Sequence, residues 1–428
     1  MSSSALGSAL RQAYRTGYLS QCLLLIACSA GVIGLLAARA LVALSPLVGL
    51  LAAATNPNWR MALASWRRNP AVWFAALLYA VLLVSGLYTA EWAVWRHELF
   101  RQLPLLGVPL SFAVAVPLSS HQRFLVGCTF VLGTALLGTD TLVRYLLTAR
   151  EVHEMFNTGQ NIPTITGVFH IHFSVMLALA FYFGIFLLRN VHATRTWKGL
   201  LSLAVLLIVI VLHVLAYRTG LLVFYSALLA DAILLLVARR RFALGVVLLS
   251  VFVALPWFAH KTLEPVQARV NGTYYDLEQF ELDHDINDFS LSKRLAAWQT
   301  AQAVITEHPW FGVGLADAET AMMEQYSYRD FGLLPANRVM VHNQYLHYLL
   351  GSGIMGLFIW LLVLLGPLAQ PRVHRNPYVI HFLLIMGVAM LTDSMLQLQI
   401  GFNLFVFLYG FLVVNAERQA QLIPDKIA

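Results

Sequence analysis

The sequence predicts an all-α polytopic membrane protein of about twelve transmembrane helices, with one long extramembrane loop. Two observations carry that prediction. Of 428 residues, 59% are hydrophobic and only 11% charged, against about 25% charged in soluble domains; the mean hydropathy is +0.71. Apolar runs of roughly twenty residues, each long enough to cross the hydrocarbon core as a helix, recur along the chain.

The chain opens on "MSSSALGSALRQAYRTG", polar and basic, and no small-residue cleavage site follows the first apolar run. A cleaved signal peptide is therefore not expected. Predicted spans cover 19–35, 38–54, 70–89, 103–119, 123–146, 169–188, 199–217, 219–238, 242–260, 343–369, 378–398 and 400–416. The first and last pairs have very short connections and read as hairpins. Between spans, "AEWAVWRHELFR" (90–101) mixes tryptophans with charges, the pattern of a short interfacial helix. Segment 148–168 is a polar loop. The chain thus divides into residues 1–260 with nine spans, a loop at 261–342, and residues 343–428 with three spans and the C-terminus. Within the loop, "SKRLAAWQTAQAVITEHPWFGVG" (292–314) reads as a helix with Ser292 as N-cap and His308–Pro309 as its stop. "FGVG" then forms a glycine-permitted turn.

Lys and Arg orient the set. With the N-terminus inside, sixteen lie in cytoplasmic segments and six in the short outer loops and helix ends. The positive-inside rule then predicts N-in, C-in, with 148–168 and 261–342 outside. The formal net charge of +7 is dispersed over these loops, so it reads as a topology signal and not as a nucleic-acid surface. Cys22, Cys28 and Cys128 fall inside apolar runs and read as buried thiols, not as a disulfide framework or metal site.

Charges at membrane depth cost about 2.5–3.5 kcal/mol each on insertion scales, which makes them functional candidates. Arg218, in "HVLAYRTGLLVFY" (213–225), stands at the outer junction of two spans. It reads either as a snorkelling interfacial arginine or as a planar fork for a diphosphate. Arg294, beside Lys293, opens the loop helix, whose N-terminus already favours anions. His342 and Asn343 stand where the tenth span begins, and Asp393 lies in the outer half of the eleventh. A carboxylate there needs a partner, and His342 beside it would form a base and its orienter. His170 and His172 sit at the same boundary and read as satisfied interfacial histidines. "DLEQFELDHDINDF" (276–289) starts like a calcium loop at Asp283, Asp285 and Asn287, but Asp288 and Arg294 stand where glycine and glutamate are needed. It reads as a solvated acidic face, with no metal and no cofactor. No Walker loop, HExxH, GxSxG or dinucleotide fingerprint is present.

Taken in order, "YRTG" (217–220), "SKRLAAWQTA" (292–301), "HPWFGVG" (308–314) and "VHNQYLHYLLGSGIMG" (341–356) resemble the O-antigen ligase / O-antigen polymerase superfamily over about residues 205–415. Tyr217 stands where the family often has Ser. The resemblance implies a twelve-span, GT-C-like glycosyltransferase of the bacterial inner membrane with its site facing the periplasm. It implies transfer of a glycan from undecaprenyl diphosphate to a sugar hydroxyl of lipid A–core. His342 would be the catalytic histidine, Arg218 and Arg294 the essential arginines, and Asp393 the acidic residue of the eleventh span. Arg150, His172, Arg338 and Asn343 are further candidates for lining the site. Two other functions remain open: a polymerase using the same groups, and a lipid-linked oligosaccharide flippase. A flippase would call for polar residues through the midplane and paired broken spans.

Overall fold

The structure, a computed structural model, describes residues 3–147, 164–329, 331–371 and 373–422. Among these residues every element is a helix and no strand occurs. The first helices are α1 (Ser3–Arg15), α2 (Tyr18–Leu36), α3 (Arg39–Ala54), α4 (Trp59–Arg67), α5 (Pro70–Ser85), α6 (Trp92–Gln102) and α7 (Pro104–Val114). Next come α8 (Ser120–Leu147), α9 (His170–Leu187), α10 (Arg195–Val214), α11 (Arg218–Ile233) and α12 (Phe242–Thr262). The loop region holds α13 (Glu264–Glu281), α14 (Ser290–Glu307) and α15 (Ala318–Tyr328). The chain closes with α16 (Gln344–Leu365), α17 (Pro377–Thr392), α18 (Gln399–Leu408) and α19 (Asn415–Leu422).

Each predicted span falls on a helix, but the helices are not equally long. Counting α11 with its continuation to Ala238 and α18 with its continuation through α19 to Gln421, eight described helices are long and apolar enough to cross a membrane, or nine if α3 and α4, bent by 116°, form one broken span. The remaining apolar helices are short: α5 and α17 have 16 residues each and α7 has 11. Pro46 inside α3 and Pro109 inside α7 each remove a helical donor. Most of the predicted 148–168 loop, Arg150 included, lies outside the described residues.

Burial separates a central helix from a peripheral one. Most of α9 is buried, with Phe173, Met176 and Leu177 fully enclosed. By contrast α12 exposes Phe242, Val246, Val253 and Trp257. In a bilayer such a face meets lipid tails at no hydrophobic cost. Sequence reading passed over one pair in this region: His381 Nε2 lies 3.1 Å from Asp231 Oδ2, near the ends of α17 and α11 away from Asp393. A carboxylate in an apolar helix is affordable there because it has this partner.

The loop builds a second small core around Ala296, Ala301, Met322, Tyr326 and Val341, which reaches α16 through Leu350. Here the expected cap is corrected. Helix α14 starts at Ser290 after an extended Phe289, and Ser292 is buried in its first turn. Ser292 Oγ donates to the Asp276 carbonyl, and Asp276 Oδ2 accepts from Leu291 N at 2.9 Å. A distant carboxylate therefore satisfies an orphan N–H of the helix start, which local sequence cannot reveal. The acidic stretch is likewise knitted into the loop. Asp285 Oδ1 accepts from Asn287 N and Nδ2, while Asn287 Oδ1 accepts from Leu334 N and Asn337 Nδ2.

The turn predicted at "FGVG" has a specific partner. Helix α16 is broken at Gly353 (φ 63°, ψ −164°), a conformation essentially restricted to glycine. The 308–314 segment fits into the break. Val313 N and Gly314 N donate to the carbonyls of Leu350 and Gly351 at 3.0 and 2.9 Å, and Ile354 N donates to Pro309 O at 2.9 Å. A Cβ on Gly353 would lie 2.3 Å from the Trp310 carbonyl, and one on Gly312 would lie 2.5 Å from Leu350 O. Both glycines are needed for this approach. We predict that Gly353→Ala, with backbone strain of about 1–3 kcal/mol added to that overlap, lowers the unfolding midpoint of detergent-solubilised protein. An unchanged midpoint would mean that turn and helix do not meet as described.

Candidate active site

The start of α16 and the end of α17 come together at one end of the bundle. His342 Nδ1 lies 2.9 Å from Asp393 Oδ1. A carboxylate only accepts, so Nδ1 carries a proton, and in the neutral ring Nε2 is the acceptor. The His342 side chain is 35% exposed and that of Asp393 only 6%. The imidazole thus faces outward from a buried anchor. Asp393 Oδ2 is buried and has no hydrogen-bond partner among the described residues.

His342 itself adopts φ 40°, a left-handed backbone uncommon for a non-glycine residue and characteristic of functional sites. Its neighbours hold it there. Asn343 caps α16 by accepting from Tyr345 N and Leu346 N at 3.0 and 3.1 Å. The Asn343 N–H donates to Ser394 Oγ, and its Nδ2 donates to Leu391 O, both at 3.1 Å. The polar start of α16 is therefore both a cap and a tether to the chain around Asp393.

Helix α14 clamps the pair from the loop side. Arg294 and Trp298 are four residues apart and share a helix face. Arg294 Nη1 donates to Thr392 O at 2.8 Å, and Trp298 Nε1 donates to Val341 O at 2.7 Å. Thr392 immediately precedes Asp393, and Val341 immediately precedes His342. The R-x3-W spacing thus grips the backbone just before each member of the pair. From the other side, Arg101 Nη1 donates to Leu396 O and Gln344 Oε1 accepts from Leu396 N, fixing the loop after Asp393.

Positive charge gathers beside the pair. Arg218, exposed at the first position of α11, lies close to α13: a Cβ on Gly272 would be 3.6 Å from its Nη2. Arg218 interacts electrostatically with Asp276 and with two other arginines, Arg269 and Arg294. Burial, and then the charge of Arg218, holds the Arg269 guanidinium down to about 10. Arg294 is also lowered, chiefly by burial; Asp393 opposes that shift and Arg218 adds to it. Both remain cations at neutral pH, crowded in a way that an anion would relieve. Sequence reading missed Arg269, because one cation in a polar loop has no local signature.

The other candidates are placed as follows. His172 is buried in α9 within electrostatic reach of Asp393. It packs so tightly on α18 that a Cβ on Gly401 would lie 2.6 Å from its Nε2. His170 stacks on Tyr217 and feels the charges of Arg269, Asp393 and Arg294. Arg338 lies over the Tyr326 ring, 5.9 Å from its centroid, in the loop core. Among the described residues no three His, Cys, Asp or Glu side chains gather as a metal-binding set.

Residues 203–361 match the family model described as O-antigen ligase, a model shared by ligases and polymerases. The matched stretch contains Arg218, Arg294, Trp298 and His342 and ends before Asp393. No curated protein matches the chain.

Proposed function

We propose that this chain is a polyprenyl-diphosphate-dependent glycosyltransferase, an O-antigen ligase. It spans the bacterial inner membrane twelve times, with the four short or bent apolar helices completing the set, and its 261–342 loop lies in the periplasm. The observation that carries the reading is the His342–Asp393 hydrogen bond of 2.9 Å, beside three arginines.

In the reaction, a sugar hydroxyl of lipid A–core attacks the anomeric carbon of the glycan on undecaprenyl diphosphate. Its proton passes to His342 Nε2. Asp393 holds Nδ1–H and offsets the imidazolium charge as it forms. The bond from the anomeric carbon to the diphosphate breaks, and its electron pair stays on the diphosphate oxygen. Arg218, Arg269 and the free nitrogens of Arg294 stabilise that charge. Attack from the face opposite the leaving group inverts the anomeric centre. Both substrates carry lipid tails, so the bilayer shares in aligning them.

The reaction needs charge stabilisation and a base, and the arginines and His342 supply both without a metal ion. We predict that transfer by the purified protein continues in excess EDTA, and that Asp283→Ala with Asp285→Ala is mild. Activity lost to chelator and restored by magnesium or manganese would overturn the arginine-only mechanism. The acceptor is tested by the lipopolysaccharide of a deletion strain. Core without any O-chain, with lipid-linked polymer accumulating, is expected; core bearing a single repeat unit would make this chain the polymerase.

A further inference from the structure

A cavity of about 300 Å³ lies at the end of the bundle away from His342. Helix α17 links the two places: it begins beside the cavity at Pro377 and ends at Thr392, about 24 Å away at 1.5 Å per residue. Helix α9 runs the other way, from His170 and His172 to Leu187 at the cavity wall.

The lining has a definite chemistry. At the helix ends stand Arg123, Asn190 and Asn376, while Phe130, Phe183 and Phe407 line it about two turns further in. These three are left as donors, while Ser120, Tyr378, Asn415 and Gln419 add neutral polar groups. Asn190 Oδ1 accepts from His192 N, and Asn376 Oδ1 accepts from Tyr378 N, so both carbonyl oxygens are used and the Nδ2 groups remain. Arg123 commits Nη1 to Leu118 O at 2.9 Å and keeps the rest of its fork. No Asp or Glu lines the cavity among the described residues. A cationic mouth without carboxylates, set above an apolar interior, matches a phosphate group carried on a hydrocarbon chain.

We propose that this cavity binds an anionic glycerophospholipid from the leaflet opposite the catalytic face, with its phosphate on Arg123, Asn190 and Asn376 and an acyl chain among the phenylalanines. The site is independent of the transferase reading, since none of these residues takes part in it.

The test is native mass spectrometry of the delipidated, detergent-solubilised full chain, titrated with dioleoylphosphatidylglycerol, dioleoylphosphatidylcholine or inorganic phosphate. Phosphatidylglycerol should be retained in preference to phosphatidylcholine, and excess inorganic phosphate should not displace it. Asn190→Asp and Asn376→Asp keep each carbonyl-type cap while replacing donors by negative charge, so each should weaken phosphatidylglycerol retention about tenfold, the scale of a charged hydrogen bond. Arg123→Ala should do the same, and the two Asp variants keep the test decisive if that one misfolds. Equal retention of the two lipids, displacement by inorganic phosphate alone, or indifference to both Asp variants would each overturn the proposal.

Discussion

Replacing His342 by Ala is expected to reduce glycan transfer by about 10²–10⁴-fold, the usual worth of a general base, while donor binding stays nearly normal. The expectation rests on geometry. With Nδ1–H held by Asp393, Nε2 is the one ring atom able to accept a proton, and it belongs to a partly exposed ring. The left-handed backbone at His342 complicates the alanine variant, because Ala tolerates φ 40° poorly. His342→Asn is the cleaner partner experiment. Asn accepts this backbone readily and can still donate to Asp393, yet it offers no base. The Asn variant should therefore fold and still fail. Asp393→Asn should also be impaired, since an amide no longer selects the tautomer that leaves Nε2 free. Near-normal transfer by the Asn variant of His342, measured with purified donor and acceptor, would remove it as the base.

How far the sequence led depends on whether each feature is local. Helices in lipid must satisfy their backbones internally, so apolar runs such as 169–188 and 199–217 announce α9 and α10 directly. The breaks are different. Gly353 is visible as a glycine, but that it interrupts α16 depends on Pro309, Val313 and Gly314 arriving to take over the backbone hydrogen bonds. The bend between α3 and α4 and the short α7 were also illegible as limits on span length. At the site, His342 and Asp393 were legible because polar groups at membrane depth are conspicuous. Arg294 was legible as a cation but not as a clamp, since its acceptor lies 98 residues away on Thr392. Ser292 misled for the same reason: it has the residue type of a cap, but Asp276 provides the capping from another helix.

Lysine at Arg294 is expected to reduce transfer by about 10²–10³-fold, the scale of losing a charge-stabilising donor, although the charge is kept. Arg294 has two tasks in this geometry. Nη1 fixes the carbonyl before Asp393, and the guanidinium charge interacts with Arg218 and Asp393. A lysine ammonium has no planar fork and cannot do both. Trp298→Phe separates the tasks, because it releases Val341 O on the other side of the pair without touching any charge. It should lower kcat through a looser His342 and leave the KM for donor nearly unchanged. Arg294→Lys should change both. Arg218→Lys should behave as a pure anion-binding defect, raising KM and lowering kcat, because among the described residues Arg218 makes no clamp of this kind on the His–Asp pair. Two outcomes would sink the fork model. Full activity with lysine at both positions would show that diffuse positive charge suffices, and a donor KM raised by Trp298→Phe would show that α14 binds donor through more than its arginine.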